Sequence, residues 1–175
     1  MRVVRTLLPE PLPAEVRALL ERRRRLGQDR KDEVWEGVLH VVPAPSVEHA
    51  VVGAQVKRLL ATPATGGGMV VTDDFNLGHS SADFRVPDGG LHRDRPRGTW
   101  VASAALILEI LSPEDETWEK LPFYAAHGVD EVLIVDVEEK RVHWLALLDG
   151  AYHSIERSGL VDLRPTELEG QIDWP

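Results

Sequence analysis

The chain has no cysteine among its 175 residues. This absence excludes disulfide bonds, zinc-thiolate sites and cysteine nucleophiles, and it fits a reducing compartment. No apolar stretch approaches the length needed to cross a bilayer. The first ten residues, Met1–Glu10, also lack the apolar run of a signal peptide. We therefore expect a cytoplasmic protein without a membrane segment.

Positive charge is also scarce, since the net charge is -9 and only four of the 20 basic residues are lysines. This balance argues against a general nucleic-acid coat, because phosphate binding needs local positive charge. It does not exclude a metal-dependent nuclease, whose site is itself acidic. Arginines form one run at Arg22–Arg25 and another at Arg93, Arg95 and Arg97. Each run is either a nucleic-acid contact or a solvated segment.

Length and a 43% hydrophobic content predict one domain over residues 1–175. Apolar periodicity predicts helices at 13–26, 46–61 and 117–127. Strands are predicted at 33–42, 69–72, 83–86, 104–111 and 131–137, and a hairpin at 142–148 and 151–155. The segments 62–68 and 91–100 are predicted to be loops. This order indicates an α/β or α+β domain with a mixed central sheet flanked by helices.

Glu109 is the most unusual residue, because it interrupts the apolar run Ala104–Leu111. Such a run is typical of a central strand that is buried on both faces. A lone carboxylate there costs several kcal/mol of desolvation unless it is paired, protonated or bound to a cation. Glu109 is therefore either a member of a buried ion pair or a ligand of a cation.

Asp88 and Lys120 complete a candidate set with Glu109. Asp88 follows a predicted strand, and two carboxylates that converge at one end of a sheet form a site for a divalent cation. Lys120 lies at the start of the next predicted helix, where its compact ammonium can place a water or offset charge on a phosphate. The alternatives are a turn aspartate after Pro87 and an ion pair of Lys120 with Glu116.

Pro-Asp, then Glu, then Lys around a buried strand resembles the PD-(D/E)XK nuclease superfamily. That pattern places its lysine two residues after the Glu, where this chain has Leu111. Lys120 on the following helix then corresponds to a displaced lysine.

The chain also resembles, more narrowly, the Uma-two family of restriction endonucleases over about residues 30–148. The matching pieces are Glu33-Val-Trp-Glu-Gly37, Pro45-Ser46 with His49, Val86-Pro87-Asp88, Leu108-Glu109-Ile-Leu-Ser112-Pro113, Glu116-Thr-Trp-Glu-Lys120-Leu-Pro-Phe-Tyr124 and Gly128-Val-Asp-Glu-Val-Leu-Ile-Val-Asp136. The chain departs from the family pattern at Glu116, at Val132-Leu133 and at Gly89.

The resemblance implies a restriction-endonuclease-like fold and hydrolysis of phosphodiester bonds, with DNA favoured over RNA as the substrate. It implies that Asp88 and Glu109 bind Mg²⁺ or Mn²⁺, with the Ile110 carbonyl as a further ligand and Lys120 as the third catalytic group. Glu33 and His49 match family positions and are expected to support the site. Packing or capping is the alternative for both of these residues.

Two other interpretations remain open at this stage. The nuclease-like fold could bind nucleic acid or protein without cutting, or the charges could form a purely structural network in which Lys120 pairs with Glu109. A homodimer is also expected, because many relatives of this fold pair to cut both strands. No motif that reads bases is visible in the sequence.

Overall fold

The structure is a computed structural model that describes residues 12–112 and 116–175. Two features of the sequence lie outside the described residues. They are the segment Met1–Glu10, on which the expectation about a signal peptide rests, and Pro113 of the family motif.

The described residues form four helices and eleven strands, and six of the strands follow one another between the second and third helices. The helices are α1 (Ala14–Arg25), α2 (Val47–Gly66), α3 (Thr117–Ala126) and the short α4 (Pro165–Glu169). The strands are β1 (Glu33–Trp35), β2 (Val38–His40), β3 (Val70–Thr72), β4 (Asn76–Ser80), β5 (Asp83–Arg85), β6 (Gly89–His92), β7 (Trp100–Val101), β8 (Leu106–Leu111), β9 (Glu131–Asp136), β10 (Arg141–Leu148) and β11 (Ala151–Ser154).

These strands form two mixed sheets, which confirms the mixed α+β class, although the sequence predicted a single sheet. The larger sheet has the order β11-β10-β9-β8-β6-β3, in which β8 and β9 are parallel and the other pairs are antiparallel. The smaller sheet has the order β2-β1-β5-β4-β7. The chain crosses from the smaller sheet to the larger one between β5 and β6, at Val86-Pro87-Asp88.

The central strand β8 separates two apolar clusters, because successive side chains of a strand point to opposite faces. Leu106, Leu108 and Ile110 pack into the cluster that contains Val52, Val56 and Leu60 of α2. Ile107, on the opposite face, packs into the cluster that contains Tyr124 of α3. The face of β8 that carries Glu109 is therefore the face covered by α3.

The predicted strand 33–42 is a hairpin instead, because Glu36 and Gly37 have φ values of 50° and 83°. Positive φ at both positions is the signature of a tight two-residue turn. The register pairs Glu33 with His40 and Trp35 with Val38. The hairpin places β1, which carries Glu33, between β2 and β5, where Val34 pairs with Phe84.

Helix α2 continues to Gly66, so the loop predicted at 62–68 begins later than expected. Pro63 lies inside this last turn, where its missing N–H removes one helical hydrogen bond. The turn remains helical because Ala64 is fully buried in the core and its carbonyl accepts a hydrogen bond from the Met69 N–H at 2.8 Å.

Candidate active site

Asp88 lies at the crossing between the two sheets. Its backbone N–H donates a hydrogen bond of 3.0 Å to the Leu108 carbonyl, which joins it to the central strand. Gly89 then begins β6 opposite Leu108. The strand that precedes Asp88, β5, lies in the smaller sheet, so Asp88 reaches β8 through the start of β6 and not through the predicted strand 83–86.

Glu109 faces α3, where Lys120 and Tyr124 lie one turn apart on the same side of the helix. The ammonium of Lys120 lies 3.1 Å from Glu109 Oε1, and the Tyr124 hydroxyl donates to the same oxygen. Glu109 is 3% exposed, Lys120 is 9% exposed and Tyr124 is fully buried. The helix thus brings one charged and one neutral donor to a carboxylate inside the protein.

Glu33 reaches the same ammonium from the smaller sheet. Its Oε1 lies 3.0 Å from Lys120 Nζ and accepts a hydrogen bond of 2.9 Å from the Val86 N–H. Its Oε2 accepts one of 2.6 Å from the Trp35 indole. Lys120 therefore joins carboxylates from both sheets.

The two carboxylates that share Lys120 have opposite pKa shifts. Burial raises the pKa of Glu109 to about 7 against the attraction of Lys120, and the negative charges of Asp88 and Glu33 add to the rise. Burial acts in the same direction on Glu33, but Lys120 together with the Val86 N–H lowers its pKa below the ordinary value. Near neutral pH, one carboxylate of the pair is ionised while the other exchanges a proton.

Asp88 has its own set of donors. Oδ1 accepts from Lys31 Nζ at 3.1 Å, and Oδ2 lies 3.1 Å from His49 Nε2 and 3.0 Å from the Ile110 N–H. Burial alone raises the pKa of Asp88, but His49, Lys31 and the Ile110 N–H hold it well below the usual range. Asp88 is thus an anion whose orientation is fixed from three directions.

Ile110 connects the two carboxylates, because it follows Glu109 and its N–H binds Asp88. In a strand, the N–H and C=O groups of one residue point toward the same neighbour. The carbonyl of Ile110 therefore points toward the side of β8 on which Asp88 lies.

The five residues singled out from the sequence thus lie in one connected cluster, in which His49 contacts Asp88 and Glu33 contacts Lys120. His49 also takes part in the helix cap through its backbone N–H, which donates to Ser46 Oγ at 3.2 Å. The imidazole and the main chain of this residue therefore have separate roles.

Sequence reasoning missed Lys31 and Tyr124, which bind Asp88 and Glu109 directly. The spacing of four residues between Lys120 and Tyr124 places both on one helical face, and this signal could have identified the tyrosine. For Lys31, the only signal in the sequence was the scarcity of lysine. Its contact with Asp88 joins residues that are far apart in sequence and that only the fold brings together.

One further group could hold a metal ion, formed by Asp136, Glu139 and His143. One ligand atom from each lies within 4.8 Å of the others, and among the described residues this is the single group of three or more that meets that spacing. Asp136 is the last residue of β9, where it pairs with Leu111 of β8, and His143 lies in β10. This group is separate from the predicted pair of Asp88 and Glu109.

The fold is similar to a solved structure described as a "putative nuclease belonging to DUF820" from Anabaena variabilis. The two chains are 16% identical and superpose with a TM-score of 0.62, which covers 80% of this chain and 90% of the other. No curated protein matches the chain. Within the described residues, no helix combines the length and the apolar character that a membrane crossing requires.

A family model described as "Putative restriction endonuclease" matches residues 15–172, which extends beyond both ends of the resemblance seen in the motifs. The match covers most of the chain, including the two sheets, the described helices and every residue of the cluster around Asp88 and Glu109. The chain belongs to the Uma2 family of putative restriction endonucleases.

Proposed function

We propose that the protein is a metal-dependent nuclease that hydrolyses phosphodiester bonds. Asp88 and Glu109 bind Mg²⁺ or Mn²⁺ in this proposal, the Ile110 carbonyl is a further ligand, and Lys120 is the third catalytic group. The observation that carries the proposal is the buried Glu109, which lies next to the Asp88 anion and has a pKa raised to about 7. Family membership supports the same reaction class.

The donor set fits a hard divalent cation. Both side-chain ligands are carboxylates and the third is a carbonyl oxygen, which are the ligands that Mg²⁺ and Mn²⁺ prefer. Mg²⁺ is commonly held by one or two carboxylates together with water and substrate phosphate. Burial is the main cause of the raised pKa of Glu109, and a cation between Asp88 and Glu109 would also relieve the repulsion from Asp88 that adds to it.

A bound divalent cation supplies a Lewis acid that activates water and polarises a phosphate. The residues of the chain then have distinct tasks. His49 and Lys31 fix the orientation of Asp88. Lys120 provides a positive charge beside Glu109, which orients the attacking water or offsets charge that develops on the phosphate. Glu33 holds the ammonium of Lys120 in place.

The proposed substrate is nucleic acid, with DNA favoured, and the superfamily resemblance implies products with a 3′-hydroxyl and a 5′-phosphate. Two copies acting together would cut both strands of a duplex, and the proposal includes such a homodimer. Sedimentation with and without duplex DNA measures the assembly. A monomer under both conditions contradicts the dimer but not the cleavage.

The decisive experiment is Asp88→Asn, assayed for cleavage of single-stranded, double-stranded and structured DNA and RNA with Mn²⁺ or Mg²⁺. The amide keeps the shape of the side chain but removes the charge that a cation needs, so we expect loss of metal-dependent cleavage with the fold intact. Asp162→Asn is the matched control, since Asp162 is a surface aspartate whose side chain is 88% exposed and pairs with Arg157, outside the cluster. Full activity in Asp88→Asn would refute the assignment.

A catalytically silent nuclease fold that binds nucleic acid or protein is the second candidate. The ion pairs of Lys120 with Glu33 and Glu109 favour it, because they neutralise much of the buried charge without a metal. Divalent metal separates the two candidates, since only a preformed site gains stability from a ligand. We expect Mn²⁺ to raise the thermal midpoint of the wild type but not of Glu109→Ala. A midpoint that Mn²⁺ leaves unchanged in both proteins favours the catalytically silent fold.

A further inference from the structure

A small cavity adjoins Asp88, and Lys120 is not among the residues that line it. It has a volume of about 160 Å³, and its charged wall is formed by Lys31, His49, Lys57, Asp74 and Asp88. Each water molecule takes about 30 Å³ of the liquid, so the cavity has room for about five waters. A phosphate group with its four oxygens fits into a space of this size.

Lys57 enters this cavity from helix α2. Its ammonium pairs with the Asp73 carboxylate and lies 3.4 Å from the backbone carbonyl of Asp88. Its aliphatic part crosses Gly89, where an added Cβ would lie 3.2 Å from Lys57 Cδ. The absence of a side chain at Gly89 therefore lets the lysine reach the residue next to it in the chain, Asp88.

Lys31 approaches Asp88 from the segment before β1. Its ammonium lies 3.1 Å from Asp88 Oδ1 and 3.9 Å from Asp74 Oδ2. The side chains of Lys31 and Lys57 are 27% and 26% exposed. Both ammonium groups are thus half-buried beside the same aspartate and remain open to a solvent-borne ligand.

Stability alone gives little reason for this arrangement. The partner of Lys57 is Asp73, which is 77% exposed, and exposed pairs of this kind are worth about 0–1 kcal/mol. Yet three of the four lysines of the chain, Lys31, Lys57 and Lys120, surround Asp88 and Glu109. Each of these ammonium groups lies beside a carboxylate in the free protein. A divalent cation on Asp88 would offset that negative charge and would leave Lys31 and Lys57 able to bind a phosphate.

We propose that Lys57 and Lys31 form a phosphate-binding subsite, which holds a phosphate of the nucleic-acid strand next to the one that is cut. The inference rests on the proposed nuclease function and assigns the residues that position its substrate. An ammonium is a compact point charge that binds phosphate without a fixed geometry. A phosphate in the cavity would bring the neighbouring phosphodiester to Asp88, so the subsite sets the register of the strand.

The test compares Lys57→Ala, Lys57→Arg and Arg58→Ala. Arg58 is the matched control, because it is the next residue of α2, is exposed and carries the same charge, but does not line the cavity. The probe is a short fluorescein-labelled single-stranded DNA, whose binding is followed by anisotropy over a range of salt with Ca²⁺ as the metal. Thermal midpoints of all variants show whether each one is folded.

We expect Lys57→Ala to bind the probe about tenfold more weakly, as the loss of one charge-assisted contact predicts. The slope of log affinity against log salt should fall by about 0.7, the value for one phosphate contact on a single strand. Lys57→Arg should recover most of the affinity, and Arg58→Ala should behave as wild type. In cleavage assays with Mn²⁺, Lys57→Ala should raise KM more than it lowers kcat.

The subsite is wrong if Lys57→Ala keeps the affinity and salt slope of Arg58→Ala, or if the wild type does not bind the probe. These results are distinct from a failure of the nuclease proposal. Unchanged probe binding in Lys57→Ala with active cleavage removes the subsite and leaves the nuclease. If the wild type cuts no substrate but Lys57→Ala still binds the probe more weakly than the wild type, the subsite is supported. The protein then binds nucleic acid without hydrolysing it.

Discussion

Replacing Glu109 with Gln tests the central electrostatic claim, because it removes the charge and keeps the shape of the side chain. The pKa of Glu109 is about 7 in the folded protein, against 4.5 for the ordinary group. At about 1.4 kcal/mol per pKa unit, this difference corresponds to about 3 kcal/mol. The folded state holds the extra proton, so this contribution is fully present below pH 4.5 and is lost as pH rises through 7.

We therefore expect Glu109→Gln and the wild type to be about equally stable near pH 5, where Glu109 is protonated in the native state. Near pH 8.5 the variant should be more stable by up to about 3 kcal/mol, because the wild type then keeps an ionised carboxylate in the core. The opposite shifts of Asp88 and Glu33 act in a different window, at pH values below the ordinary carboxylate range.

Urea unfolding followed by tryptophan fluorescence, at pH 5, 7 and 8.5 with a chelator present, gives the difference directly. Glu119→Gln is the control, since Glu119 lies on the exposed side of α3 and outside the cluster. A difference between wild type and Glu109→Gln that does not change with pH contradicts the raised pKa. It would then favour an ionised Glu109 that is fully neutralised by Lys120.

Two further predictions concern the metal and the backbone. Mn²⁺ affinity should weaken about tenfold per pH unit below 7, since binding must displace one proton from Glu109. Calorimetry in buffers of different ionisation enthalpy measures the released proton. An affinity for Mn²⁺ that does not depend on pH argues against Glu109 as a ligand. Gly90→Ala should destabilise the fold by about 1–3 kcal/mol, because the added Cβ would lie 2.8 Å from the Leu106 carbonyl and 2.9 Å from Phe75. Urea unfolding measures this loss of stability. If Gly90→Ala is as stable as the wild type, β6 can move away from β8.

The strands with continuous apolar runs were predictable, and β6 was not. The run around Glu109 and the turn at Asp149-Gly150 appear in the structure as predicted, since burial on both faces and positive φ leave clear signals. Gly89 and Gly90 fall between the predicted strand 83–86 and the predicted loop 91–100, although both lie in the fully buried strand β6, which also includes the first two residues of that loop. The two glycines are small because Lys57 and the Leu106 carbonyl pass close to them, and such tertiary contacts leave no local pattern.

The members of the candidate site were largely predictable, whereas their partners were not. Asp88 and Glu109 stood out because a carboxylate beside or within an apolar strand needs compensation. The choice of Glu33 as the second partner of Lys120 depends on the contact between the two sheets, which no spacing in the sequence reveals. For the same reason the contact of Lys31 with Asp88 became visible only in three dimensions.

The division of Lys120 between two carboxylates links the stability of the protein to its proposed activity. One ammonium cannot fully compensate both Glu33 and Glu109, so Glu33 is ionised and the pKa of Glu109 rises. The uncompensated charge makes the fold less stable above pH 7, and in the proposed nuclease the same charge would attract a divalent cation to Asp88 and Glu109. A protein selected only for stability would gain by replacing Glu109 with a neutral side chain. The proposed cation binding therefore gives this carboxylate a role that packing alone does not.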